Sequence, residues 1–212
     1  SYLYWILCEH PKIAMTNESK IIDFAMISSK FVKIPAYVFD EETQMQGMCG
    51  EDIIEDFSRA FDRNVRQAIV EFYDAHFENK NFTHWGDKMV SLNSAKGLLE
   101  LFPDMRVIVA VRDVRDVVSS IMSFVQHPAV RDKHLELVDL TAREHAVRWR
   151  DIYLDILDNV PEYHFARYED TLQDPKGKIG EVLEFLGLDM VPEIERAIEN
   201  NKTFGGHATS AN

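Results

Sequence analysis

The sequence predicts an α/β fold: a three-layer sandwich whose central parallel sheet carries helices on both faces. Three observations predict it. Strands alternate with helices along the chain, which is the order that right-handed crossovers turn into parallel pairing. The clearest strand, Arg106–Val111 (RVIVAV), is an unbroken apolar, β-branched run of the kind that parallel sheets bury on both faces. The 212 residues, 46% hydrophobic and 28% charged, contain no repeat, low-complexity stretch or linker, so residues 1–212 read as a single domain with a sizeable core.

Taken in order, Tyr2–Glu9 is an apolar helical stretch ended by His10-Pro11. It reads like the inside of a helix that has lost its beginning, so the natural chain is expected to extend beyond the given ends. Lys12–Met15 is a short strand. Glu18–Ser29 has helical spacing, with Ile21, Ile22, Ala25 and Met26 on one face. Phe31–Gly50 mixes Pro, Gly, Gln and Met and reads as an irregular connection or lid. Glu51–Phe77 is a long amphipathic helix with Ile53, Ile54, Phe57, Phe61, Val65, Ile69 and Phe72 along its buried stripe. Phe82–Trp85 is a short strand, followed by Gly86, Asp87 and Lys88. Leu92–Phe102 is a helix stopped near Pro103. The strand Arg106–Val111 runs into a helix over Asp113–Phe124. Further helices follow at Asp139–Leu157, at Thr171–Leu186 (closing on Gly187) and at Pro192–Asn200, with a strand at Glu162–Ala166 between the first two. The tail Lys202–Asn212 is polar.

Composition excludes several classes of partner. A formal net charge of −13 argues against nucleic acid, whose phosphates demand clustered Lys and Arg. It leaves room for a small anion, which needs only a local nest of cations and N–H groups. No apolar run approaches the ~20 residues that span a bilayer. Cys8 and Cys49 form neither a disulfide framework nor a metal spacing, and both are expected to be buried apolar residues. The histidines have no metal spacing either, and no metal is implied. Neither the cysteines nor the termini set a localisation or an oligomeric state.

In parallel α/β folds ligands lie outside the carboxyl ends of the strands. That rule points to Thr16–Glu18, Gly86–Lys88, Arg112 and Arg167–Glu169. Arg112 stands where the most apolar strand meets the next helix, and a guanidinium there can fork onto a phosphate. It can equally pair with Asp113 or Asp116. Ser120, two helical turns further on, can add a hydroxyl donor.

The segment VIVAVRDVRDVVSS (Val107–Ser120) resembles the 3′-phosphate-binding segment of the superfamily of sulfotransferases that use 3′-phosphoadenosine 5′-phosphosulfate (PAPS). Val114 stands where that family usually has Pro. RYEDTLQDPKGKIGEVLEFLGL (Arg167–Leu188) is similar to the family's R-Y-E-D-L-x-x-D-P followed by F-L-G-L. WGDKMVSLNSAKGLLELFPDMRVIV (Trp85–Val109) is similar to its G-[DE]-K-x-P…F-P-D-x-[KR] segment, with Met89-Val90 in place of a small residue and Pro. The resemblance implies a P-loop-NTPase-like fold. It implies that Arg112 and Ser120 bind the 3′-phosphate, that Tyr168 contacts the adenine, and that Lys88 stabilises the leaving phosphate.

The termini fit the same family, closest in style to the tyrosylprotein and bacterial-type enzymes. The spacing from His10-Pro11 to Glu18 matches the tyrosylprotein enzymes, whose catalytic Glu lies eight residues past the His. Ser1 then falls on the last residue of the R-S-G-T-[ST] loop that cradles the 5′-phosphosulfate. HATSAN resembles the family's C-terminal H-x-x-x-G-N, with Ala211 in place of the Gly. Two carboxylates compete as the base that takes the acceptor proton: Glu18, and Asp87, which precedes Lys88 where heparan-type enzymes carry their Glu. Asp is one methylene shorter, which favours Glu18. Val90 stands where the cytosolic enzymes place a His base.

The implied activity is transfer of a sulfuryl group from PAPS to an alcohol or phenol, on a small molecule or a side chain, leaving 3′-phosphoadenosine 5′-phosphate (PAP). Phe31–Gly50 and Ser123–Val138 are expected to shape the acceptor site. Two other classes remain open at this point: another α/β nucleotide-dependent phosphotransferase, although no G-x-x-x-x-G-K-[ST] stands in the chain, and a non-catalytic PAP- or PAPS-binding module.

Overall fold

The computed structural model describes residues 2–19, 21, 51–89, 95–126 and 135–200. The chain packs as two compact units, Leu7–Met105 and Ser1–Ile6 with Arg106–Asn212. Each contains one parallel two-stranded ladder with helices around it. The predicted mixed α/β class with parallel strands is therefore what forms. The first helix, α1 (Tyr2–Cys8), contains the boundary between the units.

In the unit Leu7–Met105, β1 (Ile13–Asn17) pairs in parallel with β2 (His84–Lys88), from Ile13 opposite His84 to Asn17 opposite Lys88. The long helix α2 (Glu51–His76) connects them in the chain. Its stripe delivers Ile69 and Tyr73 onto Ala14 of β1, and all three are buried, with Phe72, Phe77, Trp85 and Phe102 packed around them. Tyr73 is only 1% exposed and stacks on Trp85 with ring centroids 4.6 Å apart. Arg66 on the same helix donates through Nε to the Leu101 carbonyl (2.7 Å), satisfying the end of α3 (Ala95–Leu101). The predicted strand Phe82–Trp85 is displaced: Gly86, Asp87 and Lys88 lie within β2 rather than after it. Pairing with Met15, Thr16 and Asn17 extends the strand through them, and backbone pairing overrides the weak strand preference of Gly and Asp.

In the other unit, β3 (Val107–Val111) pairs in parallel with β4 (Tyr163–Arg167) in the register Val107–Tyr163 to Val111–Arg167. Chain order then runs β3, α4 (Val114–Val125), α5 (Leu135–Val138), α6 (Ala142–Asn159), β4, α7 (Tyr168–Gln173), α8 (Pro175–Leu186) and α9 (Pro192–Asn200). Val109 and Ala166 of the strands, Ile156 of α6, Ile179, Val182 and Leu183 of α8, and Ile194 and Ile198 of α9 are buried. Large apolar side chains of this kind contribute roughly 1.5–3 kcal/mol each on burial.

One predicted helix is divided and another starts late, each for a local reason. Thr171–Leu186 breaks at Asp174 (φ −131, ψ 73). Pro175 has no N–H and forces the residue before it out of the helical region. Asp174 then caps α8 by accepting from Gly177 N at 3.0 Å. A Cβ at Gly177 would lie 2.1 Å from Asp174 Oδ2, so any larger residue there displaces the capping carboxylate. Asp139–Leu157 forms as one helix that starts later, at Ala142, behind Thr141, which opens α6 with a capping box: its hydroxyl accepts from Glu144 N, and Glu144 accepts from Thr141 N at 2.7 Å. Cys8 is half-buried rather than buried. The predicted helix after Glu18, the Phe31–Gly50 connection, Cys49 and the tail Lys202–Asn212 lie outside the described residues, apart from Ile21.

α8 ends on Gly187 in the left-handed region, φ 73. A Cβ there would also come within 3.3 Å of Arg106 Nη1, which donates to the Phe185 carbonyl at 2.6 Å. Gly187→Ala is expected to cost about 1–2 kcal/mol of unfolding free energy, measured by urea denaturation, and Gly187→Asn distinctly less.

Candidate active-site clusters

The carboxyl ends of β1 and β2 bring Glu18, Asp87 and Lys88 together. Glu18 N donates to the Lys88 carbonyl at 2.9 Å, adding one rung past Asn17–Lys88. Glu18 sits at φ 52, the one non-glycine residue at positive φ among those described. That conformation costs a non-glycine residue roughly 1–2 kcal/mol. It is held by the backbone rung and by an ion pair from Lys88 Nζ to Glu18 Oε1. The side chains of Lys88 and Glu18 are 26% and 44% exposed, so the pair reaches solvent.

Asp87 faces the opposite side of the ladder from Lys88, as neighbours in a strand must, and its carboxylate is taken up by protein donors. Oδ1 accepts from Thr16 Oγ1 at 2.9 Å. Oδ2 accepts from Ser19 Oγ at 3.0 Å and Ser19 N at 3.3 Å. Beneath it the Tyr73 hydroxyl lies 2.7 Å from Thr16 Oγ1 and 2.9 Å from the Gly86 carbonyl. A carboxylate only accepts, so the Thr16 proton goes to Asp87 and Tyr73 shares its own between Thr16 Oγ1 and Gly86 O. The sequence-predicted trio is thus divided into an accessible Glu–Lys pair and a braced Asp.

A second cluster forms at the carboxyl ends of β3 and β4. The register sets Arg112 beside Tyr168, the next residues after Val111 and Arg167. The guanidinium carbon of Arg112 lies 5.1 Å from the centre of the Tyr168 ring, within cation–π range. Arg112 Nη2 donates to Asp116 Oδ2 at a long 3.4 Å. Its Nε is buried and has no hydrogen-bond partner. Of the two possible sequence partners, Asp116 is the one engaged, because Asp113 caps α4 and pairs with Arg115. Tyr2, Val111, Arg112, Tyr168 and Thr171 line a cleft of about 230 Å³. Burial, with the Tyr168 phenol nearby, raises the pKa of the Tyr2 hydroxyl, which stays protonated at neutral pH.

Ser120 is exposed on α4, one turn beyond Asp116, and does not line this cleft. Ser1 lies outside the described residues. Three features were missed by sequence reasoning. Glu169 Oε1 accepts from Asp113 N at 2.8 Å, tying the end of β4 to the end of β3. Asp113 is the N-cap of α4, a role that its place before an apolar-periodic run signals. Thr16, Ser19 and Tyr73 brace Asp87, and no local pattern announces that. Among the described residues no group of three or more His, Cys, Asp or Glu could hold a metal, and no helix is long and apolar enough to cross a membrane.

An arginine and an aromatic stand at the carboxyl ends of parallel strands, where α/β folds bind their ligands. The model of the Sulfotransferase family (Sulfotransfer_3) matches residues 1–193, and the chain belongs to that family. Among solved structures, the sulfotransferase domain from the curacin biosynthetic pathway is similar in fold, with a TM-score of 0.56 at 15% identity over 99% of this chain and 77% of that one. A sulfotransferase from Alicyclobacillus acidocaldarius gives a TM-score of 0.48 at 16% identity over 95% of this chain and 85% of that one. No curated protein matches significantly.

The Asp113 carboxyl titrates well below the ordinary carboxylate range, because the Arg115 side chain and backbone N–H both hydrogen-bond to it. Its contribution to stability is complete above the unfolded value of 3.8 and is lost as pH falls toward the lower folded value. Asp113→Ala is expected to melt below the wild type at pH 6–7, with the gap narrowing once the pH falls under about 4, as followed by circular dichroism.

Proposed function

We propose that this sulfotransferase-family chain uses PAPS and moves its sulfuryl group to the hydroxyl of a small-molecule or side-chain acceptor. The observation that carries the reading is the buried, unpartnered Nε of Arg112 at the end of β3. A buried polar donor left unpaired costs about 1–3 kcal/mol, more on a charged group, and a phosphate oxygen is the acceptor that would remove this cost. The cleft beside it is framed by aromatics, which suits a purine. These residues fit an adenosine nucleotide bearing a 3′-phosphate.

In this reading Arg112 holds the 3′-phosphate with its guanidinium already resting over the Tyr168 ring, so little side-chain freedom is lost on binding. Ser120 adds a hydroxyl to the same phosphate. Tyr168 presents its remaining edge to the adenine, and Ser1 belongs to the loop that takes the 5′ end. PAPS supplies the activated sulfuryl group when bound.

Lys88 offers an ammonium to the charge that develops on the leaving phosphate oxygen. Glu18 takes the proton of the acceptor hydroxyl. Their mutual ion pair is partly exposed and worth only about 0–1 kcal/mol, so parting the two for their separate tasks is inexpensive. Asp87 is the weaker candidate base, since Thr16 and Ser19 already occupy its lone pairs, and its role is to shape the turn that carries Glu18. We read residues 1–212 as one sulfotransferase domain, supported by a family match that runs through both compact units.

Arg112→Ala is expected to weaken binding of PAP by about 10–100-fold, from a lost charge-assisted contact of ~1.5–3 kcal/mol, and to leave adenosine 5′-monophosphate nearly unaffected by calorimetric titration. Equal losses for both nucleotides would sink the 3′-phosphate assignment. With radiolabelled PAPS and a panel of alcohols and phenols, Glu18→Gln is expected to lower kcat by about 10²–10⁴-fold with little change in melting temperature. Asp87→Ala is expected to lower the melting temperature, because it strands the Thr16 and Ser19 donors. The reverse pattern assigns the base to Asp87, and nucleotide binding with no transfer to any acceptor makes the chain a binding module.

A further inference from the structure

We propose that Glu169 is a positioning residue for Arg112, its carboxylate latching the Asp113 N–H so that the guanidinium is presented to the anion; the inference rests on the phosphate-binding role of Arg112 given above. The geometry starts from the ladder. β3 and β4 pair rung by rung up to Val111–Arg167. The next two residues, Arg112 and Tyr168, are joined by no backbone hydrogen bond but by guanidinium on ring. The pair after that, Asp113 and Glu169, is joined again, through Glu169 Oε1 and Asp113 N at 2.8 Å. Arg112 and Tyr168 are therefore held from both sides, by a backbone rung before them and a side-chain rung after them.

Glu169 has few other tasks. Its Oε2 is buried and accepts no hydrogen bond; Arg167 Nε lies 3.3 Å away as an ion contact without hydrogen-bond alignment. Burial alone would raise the pKa of this carboxyl, but the backbone hydrogen bonds and the Arg167 charge outweigh it and hold the pKa below its ordinary value. An ionised acceptor is thus kept in place at the Asp113 N–H. That N–H belongs to the N-cap of α4, so the bond fixes where α4 starts and the direction in which Arg112 leaves the strand. Length matters: a carboxylate one methylene shorter falls short of Asp113 N, while an amide oxygen of equal reach still accepts.

Calorimetric titration of PAP and of adenosine 5′-monophosphate tests this on the full chain, in Glu169→Ala, Glu169→Asp, Glu169→Gln and Arg112→Ala. Glu169→Ala and Glu169→Asp are expected to cut the preference for the 3′-phosphorylated nucleotide about tenfold while leaving adenosine 5′-monophosphate within about threefold, and Glu169→Gln to retain most of the preference. If Glu169→Ala does not fold by circular dichroism, the Asp and Gln variants decide. Full preference in Glu169→Asp overturns the latch, as does a Gln variant as impaired as the Ala one, or proportional loss of both nucleotides. Selective loss in Arg112→Ala without loss in Glu169→Asp removes the latch alone; loss of both nucleotides in Arg112→Ala removes the phosphate reading beneath it.

Discussion

The register of the β3–β4 ladder is the constraint on which the Arg112–Tyr168 cluster depends. Side chains in a strand alternate with a period of two, so a slip of one residue would turn every side chain to the other face. With Val111 opposite Arg167, Arg112 falls beside Tyr168 and Asp113 beside Glu169. The buried Val109 and Ala166 hold that register through packing, since a slip would exchange them for the exposed or half-buried neighbours of each strand. The cation–π contact, the Glu169 bond and the cap of α4 all follow from one alignment of two five-residue strands.

The β1–β2 ladder does the same for Glu18, Asp87 and Lys88, and there the decisive feature is that the two carboxylates meet different partners. Two acids stand next to one lysine, and composition cannot rank them. Alternation along β2 sends Asp87 and Lys88 to opposite faces, and each meets a different set of partners. Asp87 meets the Thr16 and Ser19 donors above the buried Tyr73 hydroxyl. Lys88 meets Glu18, which accepts a left-handed backbone conformation to reach it. Strain of that kind persists only where the surroundings over-determine it, and it gathers at functional positions. Polar groups satisfied by the protein brace a turn. Polar groups left open to solvent or unpaired, such as Glu18 and Arg112 Nε, are the ones with capacity to engage a ligand.

The elements were largely legible because their signals are local. The apolar β-branched run at Val107–Val111, the stripe of Glu51–His76 and the terminal Gly187 all act within one element, and the structure places a strand, a long helix and a left-handed C′ residue there. The two misjudged helices carried their own punctuation, Asp174-Pro175 and Thr141-x-x-Glu144. Apolar periodicity runs across the break at Asp174 and starts ahead of the cap at Thr141, which hides both boundaries, while the missing N–H of Pro175 and the capping hydroxyl of Thr141 decide the backbone. The strand through Gly86–Lys88 was not legible, because its residues are poor strand formers and only pairing with Met15–Asn17 makes them one.

By itself the sequence determined the α/β class, the order of the elements, the sulfotransferase resemblance and the short list of residues at the strand ends. Those properties depend on periodicity and on motifs a few residues long. Only the tertiary structure decided what each listed residue touches. Asp87 finds Ser19 across 68 positions, Lys88 finds Glu18 across 70, and Glu169 finds Asp113 N across 56. Hydrogen bonds and ion pairs act over about three ångströms, so the role of a charged side chain is set by which distant strand end is folded beside it.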